Sequence, residues 1–270
     1  MSKIIELCGI PGVGKSTVYS VLVSSWNKKD KWIPADFLYH KQKIGLKNPR
    51  NLISLFAGRI KGNLDSSELN ETGKRFVSEY PIYMNHSWDA MQRKHSNRKN
   101  APDERFKEVK RLKRSAEYIQ YLIESKCPQF AIVDIGGLVQ RLDLTWNTSE
   151  NISEDHKEAV HLLNSMPLPG AVVYLHIDLD RNVERLLNRK KTLARHKNLS
   201  AKELEDFCKK YEERWEMILN LLMDRKVPVL KIKADVPVTT IVEQIKEFVD
   251  GLYDNASMFE RSQQARVFDQ

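Results

Sequence analysis

Gly9-Ile10-Pro11-Gly12-Val13-Gly14-Lys15-Ser16 is the stretch from which the rest of the chain is read. It satisfies the pattern G-x-x-x-x-G-K-S, in which glycines let the backbone curl so that successive N–H groups point at phosphate oxygens. Its flanks complete the signal. Lys3 to Cys8 reads as a buried strand entering the loop, and Val18, Val21, Leu22 and Trp26 mark the inner face of a helix leaving it. That order sets the partial positive charge of a helix N-terminus behind the bound anion. Gly9, Gly12, Val13, Gly14, Lys15, Ser16 and Thr17 are therefore the candidate nucleotide-binding residues. In such a loop Lys15 reaches the β and γ phosphates of ATP, and the Ser16 hydroxyl holds Mg²⁺.

Further strands are expected at Trp32 to Tyr39, Phe130 to Val133, Val172 to Ile177 and Val227 to Ile232. Helical patterns separate them, which argues for a parallel sheet covered by helices on both faces. Roughly ninety residues lie between the second and third strands, far more than one crossover needs, so a helical sub-region is expected there. Within it Phe106, Val109, Leu112, Ala116, Ile119 and Ile123 recur at helical spacing and predict an amphipathic helix over Asp103 to Ser125. Residues near Asn63 to Glu71 read as a loop. Asp180 is the expected N-cap of a helix carrying Arg181 to Lys191. A second helix opens at Ser200, where Ser200 and Glu203 form a capping box and Leu199 and Leu204 a staple. Val238 to Leu252 predicts the last helix, and residues 253–270 a polar tail.

The length suits one large α/β domain with a substantial core. With 41% hydrophobic and 30% charged residues the composition is that of a globular chain, not a disordered or fibrous one. No apolar run is long enough to span a bilayer, and the N-terminus lacks the apolar core of a signal peptide. Cys8, Cys127 and Cys208 show no metal or CxxC spacing, which suits free thiols in a reducing compartment; a cytoplasmic location without a membrane partner is expected. The net charge of +8 favours an anionic partner without choosing one.

Together with Thr17, the loop resembles that of the small-molecule and nucleotide kinases of the P-loop superfamily, nearest in pattern to the thymidylate kinase and deoxynucleoside kinase group. Val172-Val173-Tyr174-Leu175-His176-Ile177-Asp178 with Asn182-Val183-Glu184-Arg185-Leu186 looks like that group's fourth strand and the start of its arginine-rich lid. Val238-Thr239-Thr240-Ile241-Val242-Glu243-Gln244-Ile245, after the fifth strand, looks like its closing βα unit. The resemblance implies a P-loop NTPase fold with a five-stranded parallel sheet of order 2-3-1-4-5. It also implies a single kinase-like domain over residues 1–252, with an acceptor-side helical insertion over about 40–128 and a lid over about 181–199. The sequence departs from the group after the third strand. An acidic residue and an arginine usually stand there, whereas Asp134 is followed by Ile135-Gly136-Gly137, which counts against a nucleoside or nucleoside monophosphate as acceptor.

Asp134 ends the third strand, beside the glycine loop, where α/β sheets bind ligands. It is a candidate Mg²⁺ ligand or base for an acceptor hydroxyl, against the plainer role of capping the turn before Gly136. Asp36 closes the second strand and resembles the acceptor-contacting aspartate of several P-loop kinases, shikimate kinase among them; a solvated loop residue is the alternative. Arg185 and Arg189, followed by Lys190, Lys191, Arg195 and His196, form a cluster suited to charge on a transferring phosphoryl group, or else a solvated basic face. Arg141 is a candidate acceptor contact. From Arg93 to Arg114 there are ten Lys/Arg against Asp103, Glu104 and Glu108, either a solvated helix face or a surface for an anionic acceptor.

These readings converge on phosphoryl transfer from ATP·Mg²⁺ to a small hydroxyl- or phosphate-bearing acceptor such as a nucleoside, a nucleotide or a sugar-type metabolite. A nucleotide-dependent regulatory or assembly ATPase is the alternative, with a polynucleotide kinase and hence a nucleic-acid partner less favoured, because exposed aromatics do not interleave the basic stretch. A homodimer is left open.

Overall fold

The computed structural model describes residues 2–41, 66–95, 101–144, 152–189 and 199–268. Five parallel strands form one sheet in the order β2-β3-β1-β4-β5. They are β1 (Ile4–Gly9), β2 (Trp32–Pro34), β3 (Phe130–Val133), β4 (Ala171–His176) and β5 (Val229–Lys233). β1 lies at the centre, paired to β3 with Ile5 opposite Ile132 and to β4 with Leu7 opposite Val173. Every residue of β1 is buried, as is every residue of β3. That double-sided burial is why these strands read as nearly continuous apolar runs.

Both sheet edges are modest. β2 has only three residues and ends on Pro34, while β5 is half-exposed and carries Lys231 and Lys233, which pair with Glu216 and with Asp178 and Asp235. The expected second strand therefore stops early. Pro34 closes it, and the chain turns at once into α2 (Ala35–Lys41), placing Asp36 in a helix's first turn rather than at a strand's end. A proline lacks the N–H that would continue a ladder and suits the entry to a helix.

Helices cover both faces. α1 (Lys15–Ser25) leaves the glycine loop and packs against β1 and against the last helix, α9 (Val238–Phe268). Between β2 and β3 the chain forms α3 (Ser66–Glu79), α4 (Pro81–His95) and α5 (Ala101–Glu124), with α3 and α4 both packed on α5. Of the loop expected near Asn63 to Glu71, Ser66 to Glu71 are helical and residues 63–65 lie outside the described residues. Leu112, Ala116 and Ile119 of α5 are buried as the spacing predicts, but Phe106 is 71% exposed. Ile123 is 40% exposed as well, so the predicted stripe covers the core only in the middle turns.

α6 (Ile152–Ser165) and α8 (Ala201–Asp224) are joined by a buried ion pair in which Arg214 Nε donates to Asp155 Oδ2 at 2.6 Å. α7 (Leu179–Leu187) is shorter than the pattern suggests, and its N-cap is Asp178 rather than Asp180. The start of α8 agrees with the sequence, since Ser200 caps it and both bonds of the capping box with Glu203 are made. α9 runs on to Phe268, past the expected end at Leu252, because neither proline nor a second glycine follows Gly251. Lys31 pairs with Asp254 at 2.7 Å, tying this extension to the β2 side of the sheet. Among the described residues no helix is long and apolar enough to cross a membrane.

Candidate functional site

The buried run of β1 delivers the chain to the edge of the sheet, where Gly9, Gly12 and Gly14 all take positive φ. Gly14 is the N-cap of α1 at φ 107°, and a Cβ there would meet nothing within 4 Å. An L-residue resists that left-handed backbone, so glycine is what lets the chain turn directly into the helix. No side chain caps α1, which leaves its first N–H groups and the positive end of its dipole to the loop. Lys15 Nζ folds back over this curve, donating to the carbonyl oxygens of Gly9 at 2.7 Å and Ile10 at 3.1 Å. Thr17 begins the helical ladder, its N–H donating to Gly14 O at 3.0 Å.

β3, the neighbour of β1, brings Asp134 to the same edge. Asp134 is buried, and the Ser16 hydroxyl is close enough to its carboxylate to favour the ionised form. Burial raises the pKa of Asp134, while the Ser16 hydroxyl and the Lys15 charge pull it down and Asp36 pushes it up. Its Oδ1 is buried with no hydrogen-bond partner among the described residues. A buried carboxylate oxygen without a partner is uncommon and points to a group that would complete it. A serine hydroxyl and a carboxylate are hard oxygen donors of the kind Mg²⁺ takes, and that ion ordinarily fills its other positions with phosphate oxygens and water. Among the described residues no group of three or more His, Cys, Asp or Glu could hold a metal by itself.

Asp36 is fixed by two tyrosines. Tyr19 of α1 donates to its Oδ2 and Tyr118 of α5 to its Oδ1, each at 3.1 Å. Burial first, and then the Asp36 charge, pushes the Tyr19 phenol far above its usual range, so Tyr19 stays a donor. Neither tyrosine was among the sequence candidates. Tyr19 follows Ser16 by nearly one helical turn, a weak clue; Tyr118 carries none, since only the packing of the insertion brings it here. Arg141 lies in a 3-10 turn, Val139–Leu144, and its Nε donates to the buried Ser115 Oγ of α5 at 3.2 Å. The structure thus brings Asp36 and Asp134 within electrostatic reach of one another and ties Arg141 to α5.

Arg185 meets the loop from the other side. Its Nη1 donates to Val13 O and its Nη2 to Ala234 O, each at 3.2 Å, so it bridges the glycine loop and the turn after β5. Arg189 does not share that position, because α7 ends at Leu187 and Arg189 stands exposed beyond it. Lys190, Lys191, Arg195 and His196 lie outside the described residues. The basic stretch is partly neutralised: Arg93 donates to both oxygens of Glu158, Arg111 pairs with Glu108 at 2.6 Å and Lys113 with Glu117 at 3.4 Å.

One charged residue hidden in the apolar β1 run escaped the sequence candidates. Glu6 is 1% exposed and accepts backbone N–H bonds from Leu138, Val139 and Gln140. A carboxylate inside an apolar strand is itself a signal, since glutamate is almost never fully buried without partners. Burial pushes its pKa up to about 7, against the lowering effect of those N–H groups and of Arg141.

A scan against protein-family models gives no match, and a search of the curated proteins gives none. The architecture is consistent with a P-loop or Rossmann-like nucleotide-binding fold of the phosphotransferase type.

Proposed function

We propose that the chain is a phosphotransferase that moves the terminal phosphoryl group of ATP, bound as its Mg²⁺ complex, to a small acceptor bearing a hydroxyl or phosphate, of nucleoside, nucleotide or sugar type. The observation that carries this reading is the buried Asp134 carboxylate, on the strand next to β1 and within the influence of Ser16 and Lys15, beside the uncapped N-terminus of α1. A glycine turn adopted only for packing has no use for a buried carboxylate oxygen left without a partner.

In this reading the backbone N–H groups of Gly12 to Thr17 cradle the phosphates, and Lys15 exchanges its bonds to the Gly9 and Ile10 carbonyls for phosphate oxygens. Ser16 and Asp134 hold Mg²⁺, which when bound supplies positive charge against the phosphate oxygens. Arg185, already anchored to the loop, stabilises charge on the transferring group, and Arg189 joins it from the following segment. Asp36, held by the Tyr19 and Tyr118 hydroxyls, orients the acceptor at the same edge, and Arg141 supports that side through α5. Little covalent work falls to the protein; positioning and charge do most of it.

The test is a screen of nucleosides, nucleoside monophosphates and sugars for acceptor-dependent ADP release. Release that appears only with one acceptor class supports the reading and names the acceptor. Hydrolysis indifferent to every acceptor but stimulated by a protein partner would replace it with a regulatory ATPase. Phosphorylation of nucleic-acid ends, with binding that falls steeply with salt, would replace it with a polynucleotide kinase.

A further inference from the structure

The segment after β3 carries Asp134 and Arg141, and it is held from the strand next door. Glu6 Oε1 accepts N–H bonds from Leu138 at 2.9 Å and Val139 at 3.2 Å, and Oε2 accepts them from Val139 at 3.0 Å and Gln140 at 3.3 Å. The first N–H groups of the 3-10 turn are thus capped by a side chain from β1. Gln140 returns the tie, its Nε2 donating to Leu7 O at 3.1 Å and to Asp134 O at 2.7 Å. The space is shaped for this contact, because a Cβ on Gly137 would collide with the Glu6 carboxylate. Glu6 shares no bond with Ser16 or the glycine loop; its polar contacts face the segment that follows Asp134.

We propose that Glu6 is a positioning residue: it clamps the segment from Asp134 to Leu144 onto β1 and thereby holds Asp134 in place beside Ser16. The clamp gathers backbone donors rather than substrate, so Glu6 works through Asp134. Its link to the nucleotide rests on the phosphotransferase reading, whereas the clamp itself does not. Every polar contact of the Glu6 carboxyl group converges on the segment that bears the candidate metal ligand. The strand delivering the phosphate loop and the loop delivering the carboxylate are registered to each other by this side chain.

The experiment has two readouts on full-length Glu6→Gln, which keeps the size but replaces one acceptor oxygen by an NH₂ facing the turn's N–H groups. Backbone hydrogen exchange is expected to rise on the order of tenfold or more at Leu138, Val139 and Gln140, with β4 and β5 unchanged. Titration of ATP at varied Mg²⁺ is expected to show the Mg²⁺ requirement raised by roughly tenfold or more, as for loss of a residue that supports a metal ligand. Mg²⁺-free ATP affinity should stay within about twofold, and adding Glu6→Gln to Asp134→Asn should cost nothing further, since both act on one contact. Unchanged exchange in the turn, or losses from the two substitutions that add, would overturn the proposal. Should Glu6→Gln fail to fold, Gln140→Met cuts the tie from the other side and carries the same two expectations. Absence of ATP binding by the wild-type chain would end the phosphotransferase reading, while the exchange measurement would still decide the clamp.

Discussion

Lys15 Nζ stands 2.7 Å from the carbonyl oxygen of Gly9, so the lysine is folded across the loop it belongs to. Its ammonium is aimed at loop carbonyls and supports no apolar core. Lys15→Ala is expected to lower ATP·Mg²⁺ affinity or turnover by at least about tenfold while costing about 1 kcal/mol of stability, the usual worth of such bonds. Calorimetric titration beside a thermal melt checks both, and unchanged nucleotide binding would sink the site.

Asp134→Asn keeps shape but removes charge. Nucleotide should still bind, while acceptor-dependent turnover falls by about 10²-fold, the range for a lost general base. If the role is metal binding, higher Mg²⁺ will restore part of the activity. Because burial already penalises the ionised form of Asp134, the neutral amide should not lower the melting temperature at pH 8. A folded variant with normal activity at ordinary Mg²⁺ would leave Asp134 a turn residue.

The two arginines after β4 are expected to separate. Arg185→Gln should lower kcat by about tenfold or more, beyond its effect on ATP binding, because Arg185 reaches both Val13 and Ala234. Arg189→Gln should act on kcat alone and less strongly. Equal effects on stability and none on kcat would mark both as structural.

Glu6 binds its proton more tightly in the folded chain, with a pKa of about 7 against an ordinary 4.5. Unfolding between those values releases a proton, so this group's contribution to stability is greatest below pH 4.5 and falls as pH rises to about 7, by about 3 kcal/mol in all. Urea unfolding of the wild type and Glu6→Gln at several pH values isolates the difference. The gap between them should shift in favour of the variant as pH rises, with Arg141, Tyr83 and Cys8 as the neighbouring groups that shape it. A shift in the opposite direction would mean that the backbone donors outweigh burial.

Arg214 and Asp155 form a pair with both side chains buried. Arg214→Met strands the carboxylate and should cost about 3 to 5 kcal/mol, whereas Arg214→Met with Asp155→Leu should recover much of that. Denaturant midpoints of the two variants decide it.

Much of the scaffold was legible because its determinants are local. The glycine loop, β3 and the Ser200 capping box depend on neighbours within a few residues, and each agrees with the sequence reading. Asp36 was legible as a residue of interest but not in its setting, since Pro34 ends the strand and two tyrosines from distant helices hold the carboxylate. The Arg185 bridge depends on the packing of α7 over the loop, which no spacing encodes. Phe106 misled because a periodic stripe shows which residues share a face, not how far along the helix the core extends.

The two ends of the sheet bear on how this chain would meet a copy of itself. A short strand closed by a proline offers few backbone groups for a neighbour to pair with, and an edge with paired lysines resists the approach of another strand. Self-association through a continuous intermolecular ladder is disfavoured at both margins of the described sheet, and edge-to-edge stacking of that sheet is disfavoured by the same means.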